Sequence, residues 1–224
     1  MEKQVKSKER VADRGEVFTA EREVKAMCDL VKDETERIDS RFLEPACGDG
    51  NFLAEILRRK LAVVKNKYKK STYDYEMNSV LAVTSIYGVD IMLDNVQDCR
   101  ERLFQIWDKE YTSVCKKDAN EDCREVVRYV LEHNILCGNA LSLKKVDENC
   151  EDTEEPIIFA EWTFVTGGML KRRDFRLDEM LDGHTEQMSL FMTDWEYDEE
   201  VQAFIPKPIR EFPPIHYRRI RENG

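Results

Sequence analysis

FLEPACGDGNFLAEIL, residues 42–57, decides how the chain reads. Phe42, Leu43 and Glu44 form a short apolar run ending in an acid, residues 45–50 make a turn with two glycines, and Phe52, Leu53, Ile56 and Leu57 recur at the spacing of one helical face. A strand, a glycine turn and a helix in immediate succession make a small-molecule site. Glycine lets backbone approach a ligand closely, and a helix N-terminus presents unpaired N–H groups beside it. The dinucleotide fingerprint G-x-G-x-x-G does not fit, because Leu53 stands where its third glycine belongs. That fingerprint also expects an acid about 20 residues on. Asp90 lies 42 residues beyond Gly48. No G-x-x-x-x-G-K-[ST] phosphate loop occurs either.

Composition narrows the class around this stretch. The 224 residues are 42% hydrophobic, 36% charged and carry a net charge of −11, enough for one cored domain with appendages. No apolar run approaches the roughly 18 residues of a membrane helix. The mixed-charge N-terminus resembles neither a signal nor a transit peptide, so a cytoplasmic protein with no membrane partner is expected. Seven cysteines without a C-x-x-C pair, and only three histidines, predict free thiols and no metal site. Net acidity argues against a broad grip on DNA. A local basic patch is compatible with that, with Lys171, Arg172, Arg173, Arg218, Arg219 and Arg221 as its residues, although a solvated face is the commoner explanation of such charges.

In chain order, a mobile N-terminus is expected over 1–14, then Thr19 as the cap of a surface helix with Val24, Met27, Cys28 and Val31 on one stripe. Strand one falls at 41–47 and a helix at 51–64. The lysine- and tyrosine-rich stretch 65–76 reads as an exposed loop. A helix over 77–84, a strand over 86–91 and helices over 93–109 and 118–133 follow, then strand three at 134–141. An acidic linker leads to strand four at 156–165. Alternating strands and helices imply a parallel sheet with helices on both faces. Beyond Gly167 and Gly168, residues 169–181 read as a short charged helix or turn, and Pro206, Pro208, Pro213 and Pro214 keep the tail extended. The organisation expected is a domain over 15–168 and a C-terminal extension over 169–224 that packs on it or on a partner.

With the glycine turn, Asp90 and Asn139 in view, the chain resembles adenine-N6 DNA methyltransferases of restriction–modification systems over roughly residues 15–165. LEPACGDGNFL resembles that family's cofactor motif. The resemblance implies a Rossmann-like S-adenosylmethionine-dependent fold, with Glu44 near the amino-acid end of the ligand and Ala46, Gly48 and Gly50 in close contact. Asp90 in IYGVDI matches the acid that accepts from both ribose hydroxyls, and Ile91 would lie against the adenine. Asn139 in ILCGNAL matches the residue that meets the adenine amino group, where the family usually has Asp. Phe18 and Thr19 in GEVFTAEREV match the segment that closes over the methionine moiety, with Ala20 replacing the usual proline.

The catalytic half of the pattern is missing. The family places Asn/Asp-Pro-Pro-Tyr/Phe after strand four, and this sequence reads Phe159-Ala160-Glu161-Trp162-Thr163-Phe164 there. Glu161 can accept from an amine and Trp162 can stack on a base, but an ordinary strand accounts for both. Phe212-Pro213-Pro214-Ile215-His216-Tyr217 lacks the Asn/Asp and reads as a tail anchor. The family's domain also has more strands than the four read here. Two expectations follow. The chain is the cofactor-binding part of a DNA methyltransferase, completed by a companion chain or by self-association, or it is a non-catalytic relative serving as an interaction subunit. Methylation of a small molecule or protein is the third option.

Overall fold

The computed structural model describes residues 6, 10, 19–182, 195–198 and 203–223. It begins with helix α1 (Glu21–Leu30) and the short α2 (Lys32–Thr35), then runs β1 (Phe42–Glu44), α3 (Asn51–Tyr68), α4 (Thr72–Thr84), β2 (Ile86–Asp90), α5 (Leu93–Cys115), α6 (Glu121–Asn134) and β3 (Ile135–Cys137). β1, β2 and β3 form a parallel sheet in that order, with Phe42 opposite Ile86 and Gly88 opposite Ile135. All four long helices pack on β2, whose Ile86 and Val89 are fully buried. The expected helical faces bury Leu53, Ile56 and Leu57 on α3, Val96, Cys99, Leu103 and Trp107 on α5, and Val126, Val127, Val130 and Leu131 on α6. Ser71 caps α4 and Asn120 caps α6 through side-chain oxygens that accept from Asp74 N and Cys123 N. Ala20, not Thr19, occupies the cap position of α1, and its N–H donates to Glu23 Oε2 at 3.2 Å.

The second half departs from the expected single parallel sheet. The acidic linker is partly a hairpin, β4 (Lys144–Val146) against β5 (Asp152–Pro156). The expected fourth strand is β6 (Ile158–Val165), which pairs antiparallel with β7 (Met169–Arg176) and not with the sheet of β1. Residues 169–176, expected as helix or turn, are therefore a strand, and Gly167-Gly168 is the turn of this hairpin, both glycines having positive φ. Charges disguised that strand. Arg172 and Asp174 point to one face, two residues apart, and neutralise each other in a buried bidentate pair at 2.7 and 2.9 Å. After α7 (Leu177–Asp182) come the hairpin β8 (Trp195–Asp198) and β9 (Ala203–Pro206), then β10 (Arg210–Glu211) and β11 (Ile215–His216), which both add to β7. A 3-10 segment, Tyr217–Asn223, ends the described chain.

The stretch 65–76 is also not a loop. α3 continues to Tyr68 and α4 begins at Thr72, with Lys65 and Lys67 in the last turn of α3, where its dipole favours cations. Lys60 on α3 is fully buried, and its ammonium donates to the Ile38, Ser40 and Ser85 oxygens. No helix among the described residues is long and apolar enough to cross a membrane.

Candidate cofactor site

The ends of three parallel strands converge on the glycine turn. Cys47 N donates to Val89 O at 2.9 Å, which registers the turn against the end of β2. Gly48, at φ 53°, donates its N–H to Asp90 Oδ2 at 2.9 Å. Gly50, at φ 87°, caps α3, and its carbonyl accepts from Ala54 N at 2.8 Å. Gly138, just past β3, donates to Asp90 O at 3.0 Å. Gly48, Asp90 and Gly138 are thus joined at the carboxyl ends of β1, β2 and β3, where open α/β sheets bind ligands.

Each acid at this end has a distinct state. Asp90 Oδ1 accepts from Met92 N at 2.9 Å and Asn95 Nδ2 at 3.1 Å, so with Gly48 three of the carboxylate's roughly four acceptor positions are used. Glu44 is half-buried. Burial pushes its carboxyl upward, only partly offset by the backbone N–H of Ala46, and among the described residues no Lys or Arg pairs with it. Asp49 is also pushed upward by burial, with Arg102 at 3.3 Å partly countering. Asp94, at the start of α5, is held down at about 2, first by Arg10, which grips both its oxygens at 2.8 and 2.6 Å, and also by Lys6 at 3.2 Å.

The remaining sequence candidates divide between this end and elsewhere. Thr19 lies beside the turn, its carbonyl accepting from Asn51 Nδ2 at 3.2 Å, and Ala46 is exposed. Phe18 falls outside the described residues. Ile91 follows Asp90, and its carbonyl receives the Cys137 thiol at 3.6 Å. Asn139 sits two residues past β3 and braces the neighbouring hairpin, donating to Asp152 Oδ1 at 2.9 Å and accepting from Leu141 N at 3.0 Å. Glu161 and Trp162 lie on β6. Glu161 pairs with Arg41 and with Arg173, the latter at 3.0 Å, and Trp162 is buried with its indole N–H on Asn134 Oδ1 at 2.8 Å.

The basic residues proposed as a patch each have an acidic partner. Lys171 pairs with Glu211, Arg172 with Asp174, Arg173 with Glu161, Arg218 with Glu76, Arg219 with Glu222 and Arg221 with Glu125. Sequence reasoning missed Gly138 and the positioning residue Asn95, which lies five residues after Asp90 on the inner face of α5. Among the described residues no group of three or more His, Cys, Asp or Glu side chains could hold a metal, and all seven cysteines are free.

These features define a mixed α/β protein with a small parallel sheet whose glycine turn and strand-end acid meet at the carboxyl ends of its strands. Over 120 residues, 52% of the chain, the sequence is 30% identical to a Methanocaldococcus jannaschii protein named "Putative type II restriction enzyme and methyltransferase". The stretch amounts to 10% of that relative's length, so the link to restriction–modification methyltransferases is partial. No family model matches the chain, and no solved structure gives a significant match.

Proposed function

We propose that the chain is the cofactor-binding part of a Rossmann-like, S-adenosylmethionine-dependent DNA adenine-N6 methyltransferase, completed by a companion chain. The observation that carries this reading is the Gly48 N–H to Asp90 Oδ2 bond, which joins the two motif residues 42 positions apart at one strand end. The local chemistry fits the ligand. Glu44 is a carboxylate whose burial is relieved by little besides one N–H, the state a ligand ammonium would satisfy. Asp90 keeps about one acceptor position for a hydroxyl, so holding both ribose hydroxyls would require it to release Asn95 or Met92. Thr19 and Ala46 would flank the methionine end, and Ile91 and Asn139 the adenine. The ligand supplies a methyl group on a sulfonium; the protein's part is to hold the acceptor amine in line with it.

Calorimetric titration with S-adenosylmethionine tests the reading. Binding is expected in the wild type and a loss of about tenfold or more in Asp90→Ala, or about 1.4 kcal/mol per tenfold. Glu44→Gln should weaken binding while leaving the helical circular dichroism unchanged. No heat in a folded wild type would sink the reading. A second reading, a non-catalytic interaction subunit, is favoured by Glu161 and Trp162, which are both occupied by protein partners. Radiolabelled methyl transfer to DNA with and without companion chains separates the two.

A further inference from the structure

β1 and β6 leave a groove between two open strand edges. Among the described residues β1 pairs only with β2, and β6 only with β7. The groove is lined by Arg41 with Phe42 and Leu43 of β1, by Phe159-Ala160-Glu161 of β6, and by Leu177 and Met180 of α7. Successive strand residues direct their N–H and C=O to opposite sides. Phe42 N bonds Ser85 O at 2.9 Å on the β2 side, so the Leu43 N–H and C=O face the groove. Leu43 is 43% exposed. Within β1 there is no proline, lysine or bulge, so what guards this edge is its three-residue length and the charge of Glu44.

We infer that this groove receives an extended segment of a companion polypeptide, which adds as a strand to β1. The lining is almost entirely apolar around a cavity of about 160 Å³. A dry apolar cavity of about 150 Å³ holds a benzene ring, so one Leu- or Phe-sized side chain from the incoming strand fits. Arg41 closes one end by reaching Glu161 while staying 50% exposed, which suits an acidic residue on the occupant. An independent strand fits better than a second copy of this chain. Pairing two β1 edges about Leu43 gives a three-residue ladder and leaves β6 unpaired, whereas an inserted strand meets both edges. Main-chain bonds along β1 would supply affinity and the cavity specificity. The inference is independent of methyl transfer, since no part of the groove needs a cofactor.

The test uses the full chain and a displayed library of eight-residue peptides with alternating apolar and polar positions. Enriched peptides should carry one Leu or aromatic residue with an acid nearby, and should slow hydrogen exchange at the Leu43 amide. Met180→Arg and Leu43→Lys, both at exposed positions, should each weaken such a peptide about tenfold or more. Leu141→Arg, at a surface position far along the chain, should leave it unchanged. Peptides that bind without protecting Leu43, or an unenriched library, would overturn the inference. So would sedimentation showing a dimer whose Leu43 amide is already protected, because the occupant would then be a second copy.

Discussion

Gly50 has two separate reasons to be glycine. Its φ of 87° is one that L side chains rarely adopt, and a Cβ there would stand 2.6 Å from Cys99 Sγ on α5. Its bareness therefore serves helix packing as well as the ligand approach that the sequence suggests. Gly50→Ala should cost about 2–5 kcal/mol, about 1–2 of it left-handed strain and about 1–3 overpacking. Adding Cys99→Ala should recover the overpacking part and leave the strain, read from urea melts. Lys60 is the second residue with a definite prediction. Burial pulls its pKa down to about 7. Three oxygen acceptors keep the ammonium in place below that pH. An unfolded lysine holds its proton to about pH 10.4, so between there and pH 7 the unfolded chain binds more protons and stability climbs with pH. Burial pushes the Cys115 and Cys123 thiols up and so works the other way over the same range, which makes the difference the quantity to read: the denaturant midpoint of the wild type should gain on that of Lys60→Met from pH 7 to pH 10.

Glu76 shows what an element can owe to distant sequence. It is a fully buried carboxylate on α4 that accepts from Tyr111 on α5 and Tyr217 beyond β11, each at 2.6 Å, and from Arg218 Nε at 2.6 Å. Burial alone would raise its pKa, but these three donors outweigh it and hold the group below the usual carboxylate range. A carboxylate depressed in the fold contributes stability above its unfolded pKa and loses it as pH falls through the folded one. Glu76→Gln should cost about 2–3 kcal/mol, less than a fully buried pair because Arg218 is 39% exposed. Limited proteolysis should cut the tail near Tyr217 sooner in that variant, and sooner in the wild type in acid. This clasp explains why residues 65–76 mislead a reader of sequence. Charged and aromatic composition resembles a loop until the partners, more than 140 positions away, are seen. The β1–turn–α3 unit was legible because its signals are local: a period, two glycines and an apolar run. Strand β7 was not, because the acids that neutralise Arg172 and Arg173 include Glu161 on the neighbouring strand. The site divides the same way. Gly48 and Asp90 stand out as motif residues, whereas the occupation of Asp90 by Asn95 depends on how α5 packs.

At the scale of the whole molecule, the two larger sheets of the described residues lie side by side without sharing a ladder. The parallel β1–β2–β3 sheet carries the glycine turn and Asp90, and the β6–β7 sheet gathers β10 and β11 of the tail. Arg41 to Glu161, and the edge-on contact of Tyr87 with Phe159 at 5.4 Å, bind the two sheets together. Filling the groove between them should raise the thermal midpoint, since a strand that binds only the folded state stabilises it by mass action. The Glu76 clasp has one more consequence, this time for synthesis. Glu76 must wait for residues 141 and 142 positions later in the chain. At ribosomal speeds of about 5–20 residues per second that is roughly seven to thirty seconds. During that interval α4 stands translated while its central acid still lacks Tyr217 and Arg218, so the nascent chain passes through a window in which a chaperone has most to protect.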